Sequence, residues 1–259
     1  MADEPPVADV AIAPPPETFE EAAAPAEPPP APLVHGASAD VTPGEGTWAV
    51  SIGIDDYPGS RYDLRSAVAD AVEVDRALSR YGVPVDQRLL ITDRAANAET
   101  IERSIEWLVA HAGPKANAVL FYAGHVRKVH RATETIVAAD GRLVTDARVA
   151  ELLAPLAAPR AWIAIAACYG GGFTEVLAPG RILTGAAGAD DLAYENVDYG
   201  RSYLVEYMVR RAMVGGDAPG SVEASFAYAA DAIARDHPNR VPVQQDWLDG
   251  ELALGNAAP

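Results

Sequence analysis

Two short stretches hold the residues best suited to chemistry. LFYAGHV (120–126) is an apolar run that stops at Gly124 and His125. AWIAIAACYGGG (161–172) carries a second apolar run into Cys168, the one cysteine of the chain, and then into three glycines. A thiol attacks only as its thiolate, and a neighbouring imidazole can take its proton and later return it to a leaving group. If the two runs are neighbouring strands, thiol and imidazole face the same crevice. The backbone N–H groups of Val126 and Cys168 would then lie where an oxyanion forms. Gly170, Gly171 and Gly172 would let a substrate backbone approach with no Cβ in the way. Each residue also has a plainer use. A lone cysteine ending an apolar strand can fill core space, and a histidine there can serve only as a hydrogen-bonding group.

The elements that must position these residues follow from hydrophobic periodicity. WAVSIGI (48–54), RLLIT (88–92), ANAVLFYAG (116–124), AWIAIAAC (161–168) and RILTGAAG (181–188) read as buried strands, with a further strand over 134–141. Residues 64–82, 98–112, 145–157, 203–213 and 221–236 carry apolar residues at helical spacing, and Gly82 suits a helix end. Apolar strands alternating with amphipathic helices predict an α/β fold, a parallel sheet covered on both faces. Such sheets bind ligands at the carboxyl ends of their strands, just after Ile54, Gly124, Cys168 and Gly188.

Composition separates a tail from a domain. Residues 1–46 hold no Lys or Arg, one aromatic (Phe19), and repeated proline and alanine runs. Such a segment cannot bury enough apolar surface to offset its ordering, so it is expected to be a disordered acidic tail or linker, and a place where a partner could dock. Residues 47–259, roughly 210 residues, suffice for one domain with its own core. The net charge of −17 argues against nonspecific nucleic-acid binding and against an anionic membrane surface. One cysteine excludes an internal disulfide framework. No stretch is long and apolar enough to span a bilayer, and the amino-terminal residues lack the pattern of a signal peptide, so a cytoplasmic location is the default expectation.

The order WAVSIGIDDYPG, AVADA, VLFYAGH and AWIAIAACYGGG resembles the caspase-like cysteine peptidases (caspases and metacaspases), particularly their bacterial members, over about 47–235. The resemblance implies a three-layer αβα sandwich. It implies His125 as general base and acid, Cys168 as nucleophile, a protein or peptide substrate, and no metal or cofactor in the chemistry. It also places Asp70, in AVAD, where metacaspases have an aspartate that helps bind a basic side chain before the scissile bond. Three positions depart from the family pattern. Val126 stands where glycine usually follows the histidine, and Gly170 where serine is common. Ala166 stands where metacaspases carry the second aspartate of that pocket. Asp190, Asp191 and Glu195, in the loop after the fifth strand, are the candidates to replace the lost charge. Two rival readings stay open: a caspase-like domain that binds or assembles without cutting, and another α/β cysteine hydrolase such as a thioesterase. The basic patch AGHVRKVHR (123–131) reads as a solvated loop beside the site or as a self-cleavage segment, through Arg127, Lys128 and Arg131. His130 near His125 lacks the further ligands of a zinc site.

Overall fold

The computed structural model describes residues 9–11, 43–130 and 133–255. Most of the expected tail, and Arg131 of the basic patch, therefore lie outside the described residues. The strands in chain order are β1 (Asp9–Ala11), β2 (Gly44–Gly53), β3 (Arg88–Thr92), β4 (Ala112–Ala123), β5 (Val126–Val129) and β6 (Thr133–Val137). They continue with β7 (Leu143–Thr145), β8 (Arg160–Ala166), β9 (Arg181–Gly185), β10 (Tyr194–Asn196), β11 (Arg201–Ser202) and β12 (Val243–Asp246). The longer helices are α1 (Ala67–Arg80), α2 (Ala98–His111), α3 (Asp146–Leu153), the wide-turned π-helix α4 (Val205–Val214) and α5 (Val222–Asp236).

The central sheet has the order β12-β9-β8-β4-β2-β3. Every pairing in it is parallel except that of β12 with β9. Its two faces carry different helices, because alternate residues of each strand point to opposite sides. Val50 and Ile52 of β2, Leu120 of β4 and Ile163 of β8 share a core with Ile101, Ile105 and Leu108 of α2 and Leu153 of α3. Ala49, Phe121, Trp162 and Ala164 share the other core with Ala71, Val74 and Leu78 of α1 and with α4 and α5. The result is the three-layer αβα sandwich that the family resemblance implies, its sheet covered on both faces as the strand–helix alternation predicts. The small residues of β2 on the α1 side have a reason. A Cβ on Gly53 would run into the Ala67 carbonyl, so glycine there lets α1 cross the sheet closely.

The chain starts the sheet at β2, builds β3 on one side, then crosses to place β4 on the other. Ligands of open α/β sheets sit at such a reversal, outside the carboxyl ends of the strands. The register brings those ends level: Gly53 pairs with Ala123, and Ala123 with Ala166. Two smaller sheets sit at this end. β5, β6 and β7 form an antiparallel meander, and β10 lies between β1 and β11, antiparallel to both. The basic patch is thus largely the hairpin strand β5 and its turn rather than a plain loop. β12 is an edge strand in VPVQQD, whose single proline and polar content hide any strand pattern.

Candidate active site

Asp55, His125 and Cys168 each lie two residues beyond the level rung Gly53–Ala123–Ala166. Parallel neighbours are about 4.8 Å apart, so the fold carries the imidazole and the thiol to adjacent strand ends at equal height. Both are buried, at 2% and 0% exposure.

His125 is held on every side. Its backbone N–H donates to the Tyr57 hydroxyl at 2.8 Å, and its carbonyl accepts from the Tyr122 hydroxyl at 2.8 Å. The Tyr57 ring lies 4.7 Å from the imidazole, centroid to centroid. Gly124, at φ 155°, makes the bend possible, since a Cβ there would strike both tyrosine hydroxyls. The ring's Nε2 lies 2.7 Å from the Tyr62 carbonyl. A carbonyl only accepts, so Nε2 carries the hydrogen and Nδ1 carries the lone pair. Nδ1 is buried and has no hydrogen-bond partner among the described residues. Burial lowers the imidazole pKa, an effect opposed by the Tyr62 carbonyl and by the nearby Glu195 charge. Tyr57, Tyr62 and Tyr122 were not picked out by sequence reasoning. Tyr57 and Tyr62 sit in the DDYPGSRYD loop, where no spacing signals contacts 68 and 63 residues away.

Cys168 lies under the loop that follows β9, packed against Ala187 and Ala193. Its sulfur accepts from the Ala193 N–H at 3.3 Å. Burial pushes the thiol up to about 11, and the N–H groups of Ala193 and of Cys168 itself only partly offset this. The next residue, Tyr169, adopts a left-handed φ of 58° and donates its N–H to the Asp191 carbonyl at 2.9 Å. The glycines have a packing task that the sequence did not reveal. A Cβ on Gly170 would meet the Ile165 carbonyl, one on Gly171 the Val243 side chain, and one on Gly172 the Glu134 carboxylate. They let a tight turn pack on the sheet and on the β5–β6 hairpin, and all three are buried.

Val126 begins β5. The Val137 N–H donates to the His125 carbonyl at 3.0 Å, which makes the facing Val126–Ile136 pair the non-hydrogen-bonded kind. The Val126 N–H therefore stands outside the hairpin ladder.

The four acidic candidates divide into two groups. Asp70 and Glu195 are buried close to one another at the amino end of α1. Glu195, on β10, accepts from the Arg65 N–H, the Ser66 N–H and the Ser66 hydroxyl. Asp70 accepts from the Ser202 N–H at 3.0 Å, and burial pushes its carboxyl up to about 8, with Ser202 and Arg201 opposing. Asp55 caps the same helix through the Ala67 and Val68 N–H groups and is raised to about 6, first by burial. Asp190 and Asp191 are exposed on the loop above Cys168. Asp190 pairs with Lys128 at 2.7 Å, and Lys128 also approaches Glu134 at 3.5 Å. Lys128 is thereby a strut between the hairpin and the loop. His130 is exposed in the hairpin turn, while His125 is buried. Among the described residues no group of three or more His, Cys, Asp or Glu side chains is placed to hold a metal ion. No helix among them is long and apolar enough to cross a membrane.

Comparison with known proteins agrees with this fold. The crystal structure of protein GSU0716 from Geobacter sulfurreducens has the same fold, with a TM-score of 0.64 at 14% identity, covering 83% of this chain and 98% of that one. Metacaspase-1 of Debaryomyces hansenii is 32% identical over 84 residues, which is 30% of this chain but only 19% of that protein. The caspase domain family matches residues 47–248. The chain belongs to that family of cysteine peptidases.

Proposed function

We propose that the chain is a cysteine endopeptidase cleaving after Arg or Lys, with Cys168 as nucleophile and His125 as general base and acid. The observation that carries this reading is the setting of the His125 ring. Its Nε2–H is committed to the Tyr62 carbonyl, which leaves the buried Nδ1 as the proton acceptor. The Cys168 proton passes to Nδ1 as sulfur bonds to the scissile carbonyl carbon. The Val126 and Cys168 N–H groups are the donors available to the oxyanion. The C–N bond then breaks as Nδ1 returns the proton to the departing amine, leaving a thioester. Water attacks the thioester, gives its proton to Nδ1, and sulfur leaves to regain it.

Asp70 and Glu195 are the two acids offered to a basic side chain, Glu195 standing in for the acid that Ala166 lacks; an arriving cation would favour the ionised form of Asp70, whose carboxyl burial raises to about 8. The exposed Asp190 and Asp191 are secondary candidates for the outer wall of that pocket. Peptides bearing Arg, Lys or Asp before the cleaved bond, assayed with the protein and with Cys168→Ala, test the reading. Cleavage of the basic peptides alone, lost in the variant, is expected. Equal signal from both proteins overturns it.

One observation favours a second reading, a domain that binds peptides without cutting them. The thiol is fully buried and its pKa is raised. Peptide binding with no turnover by the unaltered protein, at any pH up to 10, would decide for it.

A further inference from the structure

We propose that residues 9–11 are a tethered competitor for peptide substrate, docked on the strand edge that substrate uses. This rests on the reading of Cys168 as a peptidase nucleophile. β1 pairs antiparallel with β10: Asp9 faces Asn196, Val10 faces Glu195 and Ala11 faces Tyr194. The other edge of β10 is taken by β11, so β1 occupies the one edge left to an incoming chain.

The polarity of β1 is that of a substrate. It runs toward Ala11, opposite Tyr194, and the next residue after that edge is Ala193, whose N–H holds the Cys168 sulfur. An extended peptide laid on β10 in this direction sends its carboxyl-side residues toward the thiol. That is how the acyl half of a substrate must arrive. Strand addition is bought mainly with backbone hydrogen bonds, so different sequences compete for one edge.

The acceptor edge is firmly held. Glu195 ties β10 to Ser66, and the Ser202 N–H ties β11 to Asp70. The loop between β9 and β10 is closed over the thiol, and the cavity beside it, lined by Leu192, Ala193, Tyr194 and Arg240, holds only about 10 Å³. That is room for one water at most.

Sequence makes the docked segment a competitor rather than a substrate. Residues 1–46 contain no Lys or Arg. An enzyme that requires a basic residue before the cleaved bond cannot remove this segment by cutting it. Covalent attachment gives even a three-residue pairing an effective concentration that a free peptide must exceed.

The test uses the full chain and its Val10→Pro, Ala11→Pro double variant, because proline has no N–H and does not fit a paired strand. Iodoacetamide labelling of the single cysteine, followed by mass spectrometry, reads access to Cys168 without needing turnover. Hydrolysis of an Arg peptide reads KM and kcat. The variant should label at least about threefold faster and show a KM lower by a similar factor at unchanged kcat. A synthetic peptide covering residues 3–16, added in excess to the variant, should slow labelling again. Wild-type labelling rate and wild-type KM in the variant overturn the proposal while leaving the peptidase reading intact. Faster labelling, reversed by the added peptide, with no hydrolysis by either protein, upholds the docked strand and defeats the peptidase reading instead.

Discussion

Glu195 accepts hydrogen bonds from both the backbone N–H and the hydroxyl of Ser66, at 2.8 and 2.6 Å. An acid from β10 thereby holds Ser66, the residue just before α1, at a helix end where the dipole favours negative charge. The same carboxylate is the proposed partner of a substrate cation, and substitution separates the two roles. Glu195→Ala leaves a buried N–H and hydroxyl without their acceptor and should cost about 1–3 kcal/mol, read from urea denaturation. Glu195→Gln keeps an acceptor oxygen and should cost less. If Glu195 also receives the substrate cation, Glu195→Gln lowers kcat/KM for Arg peptides about tenfold or more. An unchanged kcat/KM would confine Glu195 to holding Ser66.

The thiol and imidazole shifts point the same way. Burial raises Cys168 to about 11 and lowers His125, so both favour the neutral forms. In the proposed mechanism the resting pair is then thiol and imidazole, and the thiolate forms as the reaction demands it. Alkylation of Cys168 should therefore climb about tenfold per pH unit from pH 7 to pH 10, because the thiolate fraction does. A rate already level at pH 7 would show a preformed ion pair and refute this picture.

The sheet and its two strand-end residues were legible because buried parallel strands are continuous apolar runs, and Cys168 and His125 each end one. The register that levels them is a property of pairing, which no single run reveals. The packing role of the glycines after Cys168 was hidden for the same reason. Their neighbours, Ile165, Val243 and Glu134, come from three separate strands. The short strands β5, β10 and β11 escaped notice because two to four mostly polar residues carry no period. β10 and β11 are tied to the domain by Glu195 finding Ser66 and Asp70 finding Ser202, contacts about 130 residues apart in sequence. The acids were legible as candidates; that two of them are buried together was not.

Burial of Asp70 has a consequence for stability. Its carboxyl is raised from 3.8 to about 8, so between these values the folded protein binds a proton that the unfolded chain has released. The contribution of this group to stability therefore falls as pH rises from about 4 to 8. Asp70→Asn keeps an acceptor for the Ser202 N–H and removes the ionisation. Urea midpoints should show the variant gaining on the parent between pH 5 and pH 8.5. A gap that stays constant over that range would contradict the raised carboxyl. The same variant should lose cleavage after Arg if Asp70 faces the substrate cation.

Tyr57 should act as a positioning residue for His125. Its hydroxyl accepts the His125 N–H and lies 3.5 Å from the hydroxyl of Tyr122, which holds the His125 carbonyl. Tyr57→Phe keeps the ring against the imidazole but leaves that N–H buried without an acceptor, at a cost of about 1–3 kcal/mol. A purely structural role would lower the urea midpoint and leave the turnover of folded enzyme untouched. A positioning role lowers kcat about tenfold with little change in KM, because a misplaced base costs proton transfer rather than peptide binding. Tyr122→Phe frees the carbonyls of His125 and Val137 together, so it should reproduce the kcat loss with a larger loss of stability. Normal kcat in both variants, measured on protein shown to be folded, would return the tyrosine pair to the core and leave the Tyr62 carbonyl as the sole orienting group.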